Sequence, residues 1–317
     1  MGNYYSNLSP DFNKKQINFK EIPAYLYQKS ISDEIKSNIS KNSLLELYES
    51  MLMIREFEEM ILKLRTGAYE CIKDYEYRGP THLSIGQEAT SSGACSVLDI
   101  SDYITSTHRG HGDSIAKGYF AIKRMTENEL HTRCPEFSDL KGEELLEAVM
   151  EDHVFRTISE LFGKETGYGK GRGGGMHIFD FRVGHLGANA IVGGGVPIAT
   201  GAAMTCRIDI DKSKPQRIVC CFAGDGAYSN GVVLEALNWA CQDQFTNPKM
   251  TSIVKGLPII YCIVNNHFGM TGRAEGEVTG VDYLARRAAG FDNENMHAEI
   301  VNGMDALAVR DAVLRAK

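Results

Sequence analysis

The length, composition and charge of the chain exclude several classes of protein. Its 317 residues, 43% hydrophobic and 24% charged, suffice for a sizeable core within one large domain. The formal net charge of −7 and the lack of a long basic run argue against a nucleic-acid partner. No apolar stretch is long enough to span a membrane, and residues 1–16 lack the apolar region of a signal peptide, so we expect no membrane partner.

Eight cysteines are scattered along the chain without a CxxC pair, and several lie inside apolar runs. Disulfides are rare in reducing compartments, whereas scattered thiols inside a core are common there. We therefore expect reduced cysteines and a cytoplasmic protein.

The N-terminal part of the sequence predicts an arm followed by a long helix. Residues 1–42 are polar and of mixed charge, and we expect an extended arm that packs on the main body or on a partner. Ser43 and Glu46 have the spacing of a capping box, and apolar residues then recur at helical spacing up to Gly67. This pattern predicts an amphipathic helix at the start of a domain of residues 43–317.

A histidine lies in the string RGPTHLSIGQEA, between Pro80 and Gly86. The residues that follow predict a helix beginning near Gln87. A single histidine in such a position is more often structural than catalytic, although its pKa near neutrality suits proton transfer. The residues alone therefore leave the role of His82 open.

The next polar string, SDYITSTHRGHGDS, places charged residues after a strand predicted over 103–106. It contains His108, Arg109 and His111 between glycines. An arginine carries a planar fork of donors that can hold a phosphate with two hydrogen bonds. The string therefore predicts a phosphate site, and the alternative is a solvated basic turn.

Charged and glycine-rich segments occupy the middle of the chain. The amphipathic segment 140–161 predicts one or two surface helices. The string GYGKGRGGGMHIFD does not follow a strand that ends directly in GxGxxG, so it does not indicate a dinucleotide site. A glycine-rich turn and then a buried helix starting near Val196 are predicted by the string HLGANAIVGGGVPIATGAAM.

Two predicted strands and the helix between them carry the most specific pattern. The apolar run 218–223 ends in Gly-Asp-Gly, a helix is predicted over 231–240, and the apolar run 259–264 ends in two asparagines. In a parallel sheet both strand ends lie at the edge where ligands bind. The Asp225 carboxylate, the Asn266 amide oxygen and the Phe268 carbonyl oxygen would suit Mg²⁺ holding a diphosphate. Either dipeptide alone would more often be a simple turn, but their order favours the metal site.

The string GDGAYSNG…EALNWA…LPIIYCIVNNHFGM resembles the magnesium and thiamin diphosphate motif of a known family. That family comprises the α subunits of the first component of 2-oxo acid dehydrogenase complexes, and the pyruvate and acetoin dehydrogenase α subunits are the most similar. The resemblance implies an α/β fold with a doubly wound, mostly parallel sheet that binds thiamin diphosphate. Relative to this family the chain has insertions at about 122–166 and 241–256, and we expect the second to form a surface loop.

The resemblance also implies roles for individual residues. His82 would act in catalysis, by binding the substrate and handling protons. The cofactor-binding residues would be His108, Arg109, Ala190, Ile191, Val192, Asp225, Gly226, Ala227 and Asn266, and the Mg²⁺ ligands would be Asp225, Asn266 and Phe268. His108 stands where many members have a tyrosine, and His177 is a weaker candidate for the site.

The resemblance further implies partners. The catalytic glutamate would come from a β subunit, in an α₂β₂ heterotetramer whose cofactor lies between the subunits. The acyl group of a 2-oxo acid would pass to a lipoyl-bearing acyltransferase. The resemblance stops inside the helix after AEIVNGMD, before a His-containing loop of the family. This leaves three expectations open: a truncated chain, a fragment of a longer α or fused α/β polypeptide, or a pocket completed in another way.

Other functions remain as alternatives. A transketolase-type enzyme would share the GDG…N pattern, but it would use sugar phosphates and no lipoyl partner. An acetoin dehydrogenase α subunit or a non-catalytic partner-binding subunit would also fit the sequence. A nicotinamide dehydrogenase would need a strand and helix joined by GxGxxG, which the sequence lacks.

Overall fold

A parallel sheet of four strands forms the centre of the fold. The computed structural model describes residues 12–16, 18–37, 39–68, 73, 81–208, 215–246, 256–291 and 296–317. Within them the strands are β1 (Tyr103–Thr107), β2 (His185–Asn189), β3 (Val219–Gly224) and β4 (Ile259–Val264), in the spatial order β2-β1-β3-β4. All pairings between these strands are parallel, so the predicted α/β class is confirmed. β4 has the predicted bounds, whereas β3 lies one residue later and β1 ends one residue later than predicted.

Helices connect the strands and surround the sheet. They are α1 (Ile31–Lys36), α2 (Lys41–Thr66), α3 (Glu88–Cys95), α4 (His111–Arg124), α5 (Glu127–Arg133), α6 (Gly142–Leu161), α7 (Gly195–Ile208), α8 (Gly231–Ala240), α9 (Asp243–Thr246), α10 (Arg286–Phe291) and α11 (Ala306–Ala316). Turns of 3-10 helix span Pro135–Phe137, Gly174–Met176, Phe181–Val183 and Asp225–Ser229. The predictions of a helix after Gln87, of one near Val196 and of one over 231–240 are therefore confirmed.

The first long helix, α2, begins earlier than the sequence predicts. The Ser40 side chain accepts a hydrogen bond from the Ser43 N–H at 3.0 Å and caps the helix, so the predicted capping box of Ser43 and Glu46 was wrong. At the other end Gly67 terminates the helix as predicted, with a left-handed φ of 72°.

Helices cover both faces of the sheet, which confirms the doubly wound arrangement. Cys220 and Phe222 of β3 pack in one core cluster with residues of α2, α4 and α6. Val219 and Cys221 pack in a second cluster with residues of α7 and α8. Successive residues of a strand face opposite sides of the sheet, so β3 is buried on both.

α6 packs one face on the core and exposes the other. Leu145 and Val149 of this helix have no exposed surface, and the ring of His153 is also fully buried. The helix packs against α4. Glu143, Glu147 and Glu151 on its other face are exposed, as is 54% of Phe155. The prediction of one or two surface helices over 140–161 is therefore confirmed as a single amphipathic helix.

The described part of the N-terminal arm packs on the main body. The Tyr25 N–H donates to the Ile300 carbonyl oxygen at 2.7 Å, and the Ile300 N–H donates to the Pro23 carbonyl oxygen at 2.9 Å. The short helix α1 follows this pairing. The division into residues 1–42 and 43–317 stays a prediction. Residues 247–255 of the predicted surface loop lie outside the described residues.

The structure also bears on the cysteines and on membrane contact. The cysteines in the described ranges form no disulfide, in agreement with the expectation from the sequence. Among the described residues, no helix combines the length and apolar character needed to cross a membrane.

Candidate functional site

The carboxyl ends of the four strands bring most of the predicted site residues to one edge of the sheet. His108 and Arg109 follow β1, residues 190–192 follow β2, Asp225 follows β3, and Asn266 lies just after β4. The chain leaves β1 toward β2 on one side and leaves β3 toward β4 on the other. Ligands of doubly wound sheets bind in the crevice at such a switch point. The crevice between β1 and β3 is therefore the candidate site.

Asp225, directly after β3, has an unused carboxylate oxygen. The residue is 4% exposed, its Oδ1 accepts a hydrogen bond from the Gly226 N–H at 2.7 Å, and its Oδ2 has no partner. Burial raises the pKa of this carboxyl, and the backbone amides of Gly226 and His267 oppose the shift. A buried anionic oxygen is unfavourable unless it meets a cation or a donor. The position therefore suits a metal ligand.

The loop after β4 lies beside the turn that contains Asp225, and it offers uncharged oxygen atoms as metal ligands. The Asn266 side-chain oxygen accepts a hydrogen bond from the Phe268 N–H at 3.0 Å. A Cβ built on Gly226 would lie 3.9 Å from the Cα of Gly269, so turn and loop are in close contact. Within the described ranges no three His, Cys, Asp or Glu side chains cluster as a metal site. A cation at this edge would combine the Asp225 carboxylate with neutral oxygens, a donor set that suits Mg²⁺.

His82, His108 and Arg109 form a cluster at the end of β1. The two imidazole rings are nearly perpendicular, with centroids 4.7 Å apart. Nη1 of Arg109 donates to the Leu83 carbonyl oxygen, which links the segment of His82 to the turn after β1. Burial lowers the pKa of both imidazoles, to about 4 for His108, and the charge of Arg109 adds to the shift. Both rings are therefore neutral at pH 7, so each offers one donor and one acceptor. Pro80, which precedes this segment, lies outside the described residues.

Two aliphatic side chains are exposed after β2. Ile191 is 70% and Val192 is 44% exposed. Hydrogen bonds fix their backbone, because the Ile191 N–H donates to Asn189 Oδ1 at 2.8 Å and Asn230 Nδ2 donates to the Val192 carbonyl oxygen at 2.9 Å. Exposed apolar side chains on a fixed backbone suit contact with a ligand or with another chain.

The part of the sequence that forms this edge of the sheet matches a known family model. The family model described as "Dehydrogenase E1 component" matches residues 68–317, which include all four strands and every predicted site residue. The chain belongs to the dehydrogenase E1 component family. Membership implies thiamin diphosphate as the cofactor, and it confirms the resemblance carried by the GDG…NN motif.

Relatives of this E1 component chain carry names from the same family. The α subunit of acetoin:2,6-dichlorophenolindophenol oxidoreductase from Bacillus subtilis (strain 168) is 35% identical over 279 residues, which are 88% of this chain and 66% of that protein. The pyruvate dehydrogenase E1 component subunit alpha of Porphyra purpurea is 34% identical over 286 residues, 88% of this chain and 66% of the relative. The pyruvate dehydrogenase E1 component subunit alpha-3, chloroplastic, of Arabidopsis thaliana is 32% identical over 313 residues, which are 94% of this chain and 59% of the relative. The chain thus spans 59% to 66% of the length of these relatives.

A carboxylate that sequence reasoning missed organises the glycine-rich segment of this E1 component chain. Glu160, near the end of α6, is 1% exposed and accepts hydrogen bonds from the N–H groups of Gly169, Gly171 and Gly173 at 2.7, 3.0 and 2.7 Å. The sequence signal is the alternation of glycines, since successive free N–H groups form a site for an anion. Here that anion is a side chain of the same polypeptide. His177, which follows this segment, is exposed, and its role stays a prediction.

Two further buried carboxylates near the site were also missed. Asp113 accepts hydrogen bonds from Ser91 Oγ at 2.6 Å and from Ser106 Oγ at 2.5 Å, which holds the start of α4 against β1. Glu58 of α2 contacts the ring of His111, 53 residues away in the chain. No local pattern marks either residue, because their partners come from other elements of the fold.

Proposed function

We propose that this chain is the α subunit, or the α portion, of a thiamin diphosphate-dependent 2-oxo acid dehydrogenase. The enzyme decarboxylates pyruvate or a related 2-oxo acid oxidatively and transfers the acyl group to a lipoyl carrier. The observation that carries the proposal is the buried Asp225 carboxylate with its unpartnered Oδ2, at the edge of the sheet that also carries Arg109. Membership of the dehydrogenase E1 component family and the names of the relatives support it.

The residues after β3 and β4 fit a magnesium ion that holds a diphosphate. Asp225 Oδ2 would be the charged ligand, and the side-chain oxygen of Asn266 and the carbonyl oxygen of Phe268 would be neutral ligands. The backbone of Gly226 and Ala227 would lie against the diphosphate, because a glycine allows a close approach. The unpartnered oxygen on the buried carboxylate supports this assignment.

Across the crevice, His108 and Arg109 would bind the diphosphate. One N–H of the Arg109 guanidinium donates to the Leu83 carbonyl oxygen. That bond leaves the other four N–H groups of the guanidinium available as donors. The hydrogen bond orients the planar group, so its remaining donors meet phosphate oxygens at little further loss of side-chain entropy. The neutral His108 ring adds one N–H donor.

His82 is proposed to bind the substrate and to handle protons. When bound, thiamin diphosphate supplies the carbanion chemistry that allows a 2-oxo acid to lose CO₂. The lowered pKa keeps the His82 ring neutral at pH 7, so one ring nitrogen donates to a substrate oxygen while the other can accept a proton. The perpendicular contact with the His108 ring restricts its orientation.

A β subunit is proposed to cover the site edge. Ala190, Ile191 and Val192 would hold the aminopyrimidine part of the cofactor, and the exposure of the two aliphatic side chains leaves room for a second chain beside them. Phe268 and Met270, on the loop after β4, are 67% and 94% exposed. An apolar patch of this kind favours a protein interface. The partner would supply the catalytic glutamate in an α₂β₂ assembly that serves a lipoyl-bearing acyltransferase.

The substrate is proposed to be pyruvate, with acetoin as the second candidate. The names of relatives at 35% and 33% identity specify acetoin, and that of a relative at 34% specifies pyruvate. Nothing in these comparisons supports the transketolase alternative. The cytoplasmic location stays a prediction, since other relatives carry chloroplastic or mitochondrial names.

The test is to purify the protein from its source with the subunits that accompany it. Mg²⁺ and thiamin diphosphate are added, and reduction of an artificial dye is followed with pyruvate, branched 2-oxo acids and acetoin. We expect dye reduction with pyruvate, and faster reduction with acetoin would assign the second candidate. Cofactor binding without dye reduction on any of them, followed by turnover of sugar phosphates, would overturn the proposal in favour of a transketolase-type enzyme.

A further inference from the structure

Two irregular segments carry three of the proposed site residues, and one buried carboxylate joins them. Residues 81–87 carry His82, and the turn after β1 carries His108 and Arg109. Glu58, in the middle of α2, has no exposed surface. A buried carboxylate is unfavourable unless it is hydrogen-bonded, and Glu58 lies between the two segments.

Glu58 makes hydrogen bonds to both segments. Its carboxylate accepts from the Ser84 N–H at 3.1 Å and from Ser84 Oγ at 2.9 Å. Oε1 also lies 2.9 Å from Nδ1 of His111, the first residue of α4. Ser84 follows His82 by two residues, and His111 follows Arg109 by two, so one carboxylate holds the chain next to each site residue.

The segment of His82 has few other restraints. Thr81 at its start accepts a hydrogen bond from Arg65 Nη1 at 3.0 Å, and Gly86 near its end donates to Glu88 at 3.0 Å. Between them, the backbone N–H of Ser84 depends on Glu58. The segment forms neither helix nor strand, so hydrogen bonds to other elements, together with the packing of Leu83 on the core, hold His82 in place.

The contacts close into a ring that passes through the site. Glu58 holds Ser84, the adjacent Leu83 carbonyl oxygen accepts from Arg109, and Arg109 leads into α4, whose first residue His111 returns to Glu58. An apolar side chain of similar size would avoid the free-energy cost of burying a carboxylate. It would also leave the Ser84 N–H without a partner and would open the ring.

We propose that Glu58 is a positioning residue that holds the segments of His82 and Arg109 in fixed relative positions, in a role that rests on the proposed function. Glu58 is fully buried, so it acts through Ser84 and His111 and not on a ligand directly. Loss of its charge separates the two segments without removing any group that binds a ligand.

The test compares Glu58→Gln with two variants in the protein purified with its accompanying subunits. Ser50→Ala is the control, because Ser50 is buried on the same helix and bonds to Ser92 of α3, at 2.8 Å, away from the site. Ser84→Ala is the milder variant, because it removes the hydroxyl and keeps the backbone hydrogen bond to Glu58. Thermal denaturation of all three variants measures their general loss of stability.

The first readout, hydrogen exchange, needs neither cofactor nor activity. Amide exchange of residues 81–87 and 107–111 should rise about tenfold in Glu58→Gln. The side-chain amide has one neutral acceptor oxygen in place of the charged carboxylate that contacts Ser84 N–H, Ser84 Oγ and His111 Nδ1, and its NH₂ group opposes at least one of these donors. Exchange should rise less in Ser84→Ala and remain unchanged in Ser50→Ala. Unchanged exchange in Glu58→Gln would overturn the proposal, whether or not the enzyme has the proposed activity.

The second readout is the pH profile of dye reduction. The groups that face His82 are His108 and Arg109 from the turn after β1, His111 from α4 and Arg65 from α2. When residues 81–87 become more mobile in Glu58→Gln, His82 is more exposed to solvent and its pKa rises. The acid limb of the kcat/KM profile therefore moves to higher pH, and the plateau of kcat/KM falls about 10- to 100-fold.

An acid limb at the wild-type pH, with rates that fall only in step with thermal stability, would assign Glu58 a purely structural role. Absence of dye reduction in the wild type would refute the proposed function and leave the exchange result standing.

Discussion

The imidazole ring of His82 lies edge-on to that of His108, with 4.7 Å between their centroids, although the residues lie on opposite sides of α3 and β1 in the chain. Both rings are partly buried beside the Arg109 guanidinium, and protonation of either would add a second positive charge. The pair therefore makes the stability of the site dependent on pH.

Replacement of His108 should reduce the loss of stability in acid. The pKa of His108 is about 4 in the folded chain against 6.5 ordinarily, so the unfolded chain binds more protons between these values. The contribution of this residue is fully present above pH 6.5 and declines as the pH falls toward 4. Thermal denaturation from pH 7 to pH 4.5 should show a shallower decline in His108→Gln, with His177→Gln as a control at an exposed histidine. An identical decline in wild type and His108→Gln would contradict the burial of this ring.

Replacement of Arg109 should weaken cofactor binding more than substrate binding. Arg109→Lys keeps the positive charge but loses the planar fork and the bond to Leu83, so we expect about a 10-fold loss of thiamin diphosphate affinity. Arg109→Ala should lose about 100-fold. Calorimetric titration with Mg²⁺ and thiamin diphosphate measures the cofactor, and the KM for pyruvate reports the substrate. An effect confined to KM would remove Arg109 from the diphosphate site.

Replacement of Glu160 should release the glycine-rich segment. Glu160→Gln substitutes an amide N–H₂ for one carboxylate oxygen, which opposes at least one glycine N–H, so we expect a loss of about 2 kcal/mol in the free energy of unfolding. Denaturant titration measures the loss, and limited proteolysis should show new cleavage within residues 164–173. Glu165→Gln, at an exposed residue of the same segment, is the matched control. Equal stability of the two variants would show that the carboxylate is dispensable.

A side chain at Gly193 should destabilise the turn after β2. Gly193 has a φ of 84°, and an added Cβ would lie 2.8 Å from Cγ2 of Val233 in α8. Strain and overpacking together should lower the free energy of unfolding by about 2–4 kcal/mol in Gly193→Ala. The double variant with Val233→Ala should lose less than the sum of the single variants, because the contact is then relieved. Strict additivity in denaturant titrations would show that the contact is absent.

The sheet and the residues after its strands were predictable where a local pattern is strong. The run 259–264 has the bounds of β4, because six apolar residues between Pro258 and two asparagines admit one interpretation. β2 was missed: its sequence HLGAN has neither β-branched residues nor alternation, and only its pairing with β1 makes it a strand. The start of α2 was predicted three residues too late, because Ser40 and not Ser43 caps the helix.

The residues that shape the site were less predictable than those proposed to touch the ligand. Asp225 and Arg109 stand beside glycines at the ends of strands, and this local context marks them. Glu58 and Glu160 lie within amphipathic helices, where a glutamate is ordinarily solvated. Their burial depends on partners elsewhere in the chain, and a single sequence gives no information on those contacts.

The assignment of Asp225 as the charged ligand is tested by calorimetric titration of Mg²⁺ and thiamin diphosphate into wild type and Asp225→Asn. Thermal denaturation of both proteins without cofactor accompanies the titration. Burial raises the pKa of Asp225, so its ionised form opposes folding at neutral pH, and the neutral asparagine should leave the cofactor-free protein at least as stable as the wild type. Cofactor affinity should nevertheless fall about 100-fold or more, because the charged ligand is gone. The exposed Asp282→Asn serves as the control. Wild-type affinity in a folded Asp225→Asn protein would contradict the assignment of the site.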